Sequence, residues 1–176
     1  MEKIQGTAWR FGDHVNADIA IGYNAAVGKL TDPKAAAALC MVGYAPDFPR
    51  LVRPGDFIVA GRNFACGNLH PQFNLAIKGA GVGAIIAHSF SRGFYRSGFY
   101  EGIICLECAE PLEKIAAGDR LEIDVKTGLI LNLTSGNQLQ ASAIPESLLE
   151  LVHAGGLVPY LRMRFHKTGR LCQSAT

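Results

Sequence analysis

Three apolar runs constrain this chain more than any other feature: Phe57-Ile58-Val59-Ala60, Ala84-Ile85-Ile86-Ala87 and Ile103-Ile104-Cys105-Leu106. A strand with one wet face alternates polar and apolar residues. A run without alternation is covered on both faces. Residues 73–78 and 94–100, which lie between the runs, read as helices. Strand, helix, strand, helix, strand fits right-handed crossovers and a partly parallel sheet.

The flanking segments extend this pattern. Residues 7–11 read as a short strand running into Gly12-Asp13. In Thr31-Asp32-Pro33, Thr31 or Asp32 caps a helix and Pro33 fits its first turn. The run 35–41 continues that helix, and Pro46 and Pro49 are expected to end it. Arg53-Pro54-Gly55-Asp56 is a turn. Residues 120–125 and 129–133 flank Lys126-Thr127-Gly128 as a hairpin that adds antiparallel strands. Residues 145–154 form a helix that Gly155-Gly156 stops. The expected fold class is α/β, one compact domain over residues 1–166 with a mixed sheet and loops gathered at one edge. Residues 167–176 are expected to be a frayed polar tail.

Composition excludes several functions. A chain of 176 residues suits one domain. With 49% apolar and 18% charged residues it is neither disordered nor a coiled coil. Seventeen basic residues against fifteen acidic ones give no electrostatic case for nucleic acid or a membrane surface. No apolar run approaches the ~18 residues that span a bilayer. The opening Met1-Glu2-Lys3-Ile4-Gln5 turns polar at once, so a soluble, cytoplasmic chain is expected. Five cysteines, an odd number, read as reduced thiols.

Chemistry is expected at the strand-to-helix edge, where α/β domains place ligands. The loop Gly61-Arg62-Asn63-Phe64-Ala65-Cys66-Gly67-Asn68-Leu69-His70 lies there. Its glycines allow close ligand approach, although it also reads as a tight connection with Cys66 as a small filler. Gly12-Asp13-His14-Val15-Asn16-Ala17-Asp18 holds two carboxylates and an imidazole, able to bind a cation or move protons, or simply to form a capped polar turn. Cys105-Leu106-Glu107-Cys108 is a lone pair ending a buried strand and reads as core. His88 can line the same edge or be satisfied locally, and Ser89, Ser91 and Arg92 can add anion donors. No Ser sits in a nucleophile elbow.

From Gly12 to about Phe165 the chain resembles the small subunit of 3-isopropylmalate dehydratase, the free-standing form of the aconitase swivel domain. The likeness is carried by Gly12-Asp13-x-Val15-Asn16-x-Asp18, Thr31-Asp32-Pro33, the run from Pro54 through Ala60 to Gly67, Gly81 to Phe90, Phe94-Tyr95-Arg96 and Gly155-Gly156-Leu157. The resemblance implies a swivelling β/β/α domain and a hydro-lyase of two subunits. It places a [4Fe–4S] cluster on the large subunit, as a Lewis acid on the leaving hydroxyl, and no cofactor on this chain. The small subunit closes over a small hydroxy-acid substrate and supplies anion-binding groups and the base.

After Cys66-Gly67 the family reads Ser-Ser-Arg-Glu-His, and this chain reads Asn68-Leu69-His70-Pro71-Gln72. The family's base is the first Ser, and its Arg binds a substrate carboxylate. Asn68 cannot take a proton, and His70 lacks the two-pronged fork of Arg. The family's Asp-Thr-Asp becomes Asn16-Ala17-Asp18. The resemblance therefore implies His70, Asp18 and Asn68 as the catalytic set: base or carboxylate binder, second acid/base or orienter, and hydrogen-bond donor. It implies Asn63, Cys66, Gly67 and Leu69 as substrate-binding residues. Tyr23, Asn24 and Lys29 join them from segment 22–30, which aligns with the family's substrate-selecting loop. The alternative is a non-catalytic relative that binds a ligand or regulates a large subunit.

Overall fold

The computed structural model describes residues 3–26, 28, 30–68 and 70–167. Lys29, Leu69 and residues 168–176 of the expected tail lie outside the described residues.

Strand β1 (Lys3–Arg10) leads through two short helices, α1 (Ala17–Ile21) and α2 (Tyr23–Ala26), to α3 (Pro33–Ala37) and α4 (Phe48–Leu51). The first two apolar runs then appear as β2 (Phe57–Ala60) and β3 (Ala84–Ala87), while the third strand, β4 (Cys105–Glu107), begins two residues after the expected start at Ile103. Helix α5 (Pro71–Gly79) follows β2, α6 (Arg92–Tyr100) follows β3 and α7 (Pro111–Lys114) follows β4. The chain continues through β5 (Arg120–Asp124), β6 (Leu129–Asn132) and β7 (Gln138–Gln140) to α8 (Glu146–His153) and α9 (Leu157–Lys167).

Within the described residues the strands make one sheet, β4-β3-β2-β1-β5-β6-β7. β1 is the hinge of its topology. Its carboxyl half runs parallel to β2, with Ala8 opposite Phe57. Its amino half runs antiparallel to β5, with Gln5 opposite Glu122. β2 and β3 are buried at every residue, as unalternating runs demand. Asp124 Oδ1 accepts from the Lys126 and Thr127 N–H groups and sets the expected hairpin turn.

Several boundaries differ from those the sequence predicts. β1 begins at Lys3, before the expected strand at 7–11, because its amino half finds β5 as a partner. Asp32 does cap α3, accepting from the Lys34 and Ala35 N–H groups. That helix stops at Ala37, however, well before Met41. Met41 adopts φ 59° and is fully buried. The chain turns there so that Gly43 packs under α1, where a Cβ would lie 1.9 Å from the Ile19 carbonyl oxygen. Tertiary packing overrides the helix propensity of the alanine run. Pro49 opens α4 and does not terminate a helix. β7 and α9 are additions, and α9 reaches one residue into the expected tail. Gly155 and Gly156 end α8 in positive-φ conformations, as expected.

Candidate functional site

The parallel alignment continues past the strand ends, and this extension builds the site. Asn16 bridges Cys66, and Phe64 bridges Phe90. The Cys66 N–H donates to the Val15 carbonyl and the Ala17 N–H to the Cys66 carbonyl, each at 3.0 Å. Three loops thus run side by side at the carboxyl edge of β1, β2 and β3.

The middle loop is held by alternating backbone. Asn63 and Ala65 adopt φ 55° and 58°, and between them Phe64 points into the core. Left-handed backbone at a non-glycine residue costs about 1–3 kcal/mol unless its surroundings fix it. Here Phe64 packs against Phe73, Phe90 and Phe94 at 5.5–6.0 Å between ring centroids. Ser89 Oγ accepts from the Asn63 N–H, and Ser91 Oγ donates to the Ala65 carbonyl. Both hydroxyls help hold the loop, Ser89 as acceptor and Ser91 as donor.

Asp13 is a second fastening. Its Oδ1 accepts from the Arg62 N–H at 2.6 Å. It fills the space over Gly61, where a Cβ would lie 1.8 Å from that oxygen. Asn63 Nδ2 lies 3.3 Å from His14 Nδ1, and Cys66 Sγ donates to the His14 carbonyl. His88 Nδ1 donates to the Ala109 carbonyl. It also lines a hollow of about 440 Å³ with Asp13, Arg62, Glu110 and Glu113.

The structure brings Asp18 and His70 together. Asp18 lies in the first turn of α1 and is 9% exposed. His70 stands at the N-cap position of α5, where its side chain caps nothing. Its Nε2 is 3.7 Å from Asp18 Oδ1. That oxygen is buried and has no hydrogen-bond partner. Pro71 follows at the first helical position, where the missing N–H leaves no bond unmade. Asn68 is exposed two residues before His70. Gly67, at φ 85°, lets the chain turn between Cys66 and Asn68.

Segment 22–30 adjoins the same helix. Gly22, at φ 81°, separates α1 from α2, and α2 presents Tyr23 and Asn24 to solvent. Gln72 Nε2 donates to the Gly28 carbonyl and fastens the segment to α5. No sequence pattern singles out Gln72, because this contact forms between segments distant in the chain.

Among the described residues the cysteines make no ligand set. Cys40, Cys105 and Cys108 are buried, and burial pushes each thiol up. Among the described residues no group of three or more His, Cys, Asp or Glu is placed to hold a metal ion. Among them, too, no helix is long and apolar enough to cross a membrane.

No family model matches the chain. Individual relatives do. The isopropylmalate/citramalate isomerase small subunit of Methanocaldococcus jannaschii is 42% identical over 161 residues, 92% of this chain and 95% of that protein. The 3-isopropylmalate dehydratase small subunit of Nitratidesulfovibrio vulgaris is 41% identical over 165 residues, 94% of this chain and 98% of that one. The 2,3-dimethylmalate dehydratase small subunit of Eubacterium barkeri is 41% identical over 159 residues, 90% and 96% of the two chains. A crystal structure of 3-isopropylmalate dehydratase from Methanocaldococcus jannaschii superposes with a TM-score of 0.89 at 36% identity, covering 96% of this chain and 98% of that one. By fold and by sequence over nearly its whole length, the chain belongs to the 3-isopropylmalate dehydratase small-subunit family.

Proposed function

We propose that this chain is the small subunit of a cytoplasmic hydro-lyase that dehydrates or isomerises a malate-like hydroxy acid together with a large subunit. The observation that carries the reading is the Asp18–His70 pair, set at the carboxyl edge of the parallel strands in a chain of this family. The acids named for the relatives, isopropylmalate, citramalate and dimethylmalate, share a malate frame with an apolar substituent.

Dehydration takes a proton from a carbon beside a carboxylate and a hydroxyl from the next carbon, leaving a double bond and water. The family's serine base is absent, and Asn68 has no basic atom to replace it. His70 is the group in this loop able to accept the proton. Asp18 faces Nε2 and orients the ring, which leaves Nδ1 for the substrate. Asn68 donates its amide N–H to a substrate oxygen. Asn63, Cys66 and Gly67 wall the site, and Tyr23 and Asn24 meet the substituent. Lewis-acid help for the departing hydroxyl would come from the [4Fe–4S] cluster expected on the large subunit. Closure of the two subunits excludes water and aligns the acid with His70.

An anaerobic pull-down of the chain from its native cell extract tests this reading, with the partner identified by mass and iron content. Recovery of an iron–sulphur subunit, and turnover of a malate-like acid by the pair, is the expected result. Recovery of the chain alone, or with an iron-free partner, overturns it.

A further inference from the structure

We propose that Asn16 is a positioning residue for the candidate site, joining the turn that carries Asp18 to the loop that carries His70. The inference rests on the reading of Asp18 and His70 as the working pair.

Asn16 acts in both directions. Its Oδ1 accepts from the Asp18 N–H at 2.9 Å and the Ile19 N–H at 3.2 Å, capping α1. That helix has five residues, too few to fix its own direction, so the cap sets where its first turn points. On its other side the amide lies against Gly67. A Cβ there would come within 2.4 Å of Asn16 Nδ2. The backbone at Asn16 bridges Cys66, and its N–H donates to the Tyr44 hydroxyl at 2.7 Å. One side chain thus touches the residue just before Asn68 on one side and the backbone of Asp18 on the other. Its loss would let the two ends of the 3.7 Å pair move independently. An ordinary helix cap does not do this. Asp32 caps α3 with two similar bonds, and α3 carries neither member of the pair.

The ¹⁵N resonance of His70 Nε2 in the full chain tests the proposal without any turnover. Asp18→Asn defines the shift of a broken pair. Asn16→Ala is expected to shift the resonance in the same direction, Asn16→Asp to return it toward the wild-type position by restoring the acceptor, and Asp32→Ala to leave it unmoved. A wild-type position in Asn16→Ala, or an equal shift in Asp32→Ala, would overturn the positioning role. If Asn16→Ala does not fold, Tyr44→Phe decides: a smaller shift in the same direction supports the role, and none overturns it. An unmoved resonance in Asp18→Asn instead overturns the reading of the pair itself. Failure of the inference and failure of the site reading are therefore distinct results.

Discussion

His70 Nε2 lies 3.7 Å from Asp18 Oδ1, and that oxygen is buried without a hydrogen-bond partner. A buried acceptor left unmade costs about 1–3 kcal/mol. A small movement of the imidazole brings the two atoms into hydrogen-bonding range and satisfies the carboxylate. The pair is thus set just outside contact, with the imidazole one-third exposed and the carboxylate mostly enclosed.

In the reconstituted two-subunit enzyme, His70→Ala should lower kcat by about 10²–10⁴, the usual contribution of a positioned proton acceptor. Asp18→Asn should lower it by about 10², with KM little changed, because the ring loses its orienting partner. His70→Arg, which restores the family's residue, separates the two roles open to this position. Guanidinium binds a carboxylate well and cannot take a proton. We expect His70→Arg to be as inactive as His70→Ala. Recovery of turnover in that variant would make His70 a carboxylate binder and place the base elsewhere.

The parallel half of the fold was legible because its strands are wrapped on both sides: β2 and β3 have the bounds that the runs at 57–60 and 84–87 predict. β7 was not, since Gln138-Leu139-Gln140 carries a single apolar residue and is a strand only because β6 lies beside it. The early stop of α3 depends on the contact of Gly43 with Ile19, which no local pattern encodes. At the site, residue types marked where chemistry should sit. The glycines of the loop Gly61–Gly67 mark it in sequence, while the left-handed backbone at Asn63 and Ala65 around Phe64, which shapes it together with Gly67, is not legible there. The hydroxyls of Ser89 and Ser91 read in sequence as anion donors, and in the fold Ser89 accepts from the Asn63 N–H while Ser91 donates to the Ala65 carbonyl.

Thiol chemistry should follow burial. Cys40, Cys105 and Cys108 are 0–4% exposed, and burial raises the pKa of each. Alkylation needs the thiolate and a path to it. In the native chain, a short pulse of iodoacetamide should therefore modify Cys66, which is half-buried at the site edge, well before these three. After unfolding, all should react alike. Peptide mapping by mass reads the order, and modification of Cys105 ahead of Cys66 in the native chain would contradict it.

Acid should weaken the sheet at its centre through Asp56. Burial alone would raise this carboxyl's pKa. Hydrogen bonds from the Arg53 and Thr7 N–H groups and from Trp9 Nε1 outweigh that effect and hold it below the ordinary value of 3.8. Thr7 reaches Oδ1 at 3.0 Å, while Trp9 and Arg53 reach Oδ2 at 3.2 and 2.9 Å. One side chain thereby ties the turn before β2 to β1. Because the folded pKa lies below the unfolded one, the ionised carboxylate adds stability above the unfolded value. That stability is lost as pH falls through the folded value, so the window lies below about pH 4. Asp56→Asn keeps one acceptor, but its NH₂ faces N–H donors. At pH 7 it should cost about 1–3 kcal/mol. Urea denaturation of wild type and variant at pH 7, 5 and 3 checks this. The gap should hold from pH 7 to 5 and narrow at pH 3, because protonation then weakens the wild type and not the amide. Lys3, Glu122 and Asp124 are common to both chains and cancel in the difference. A gap of equal size at all three pH values would mean that Asp56 acts by shape alone, with its charge carrying none of the stability.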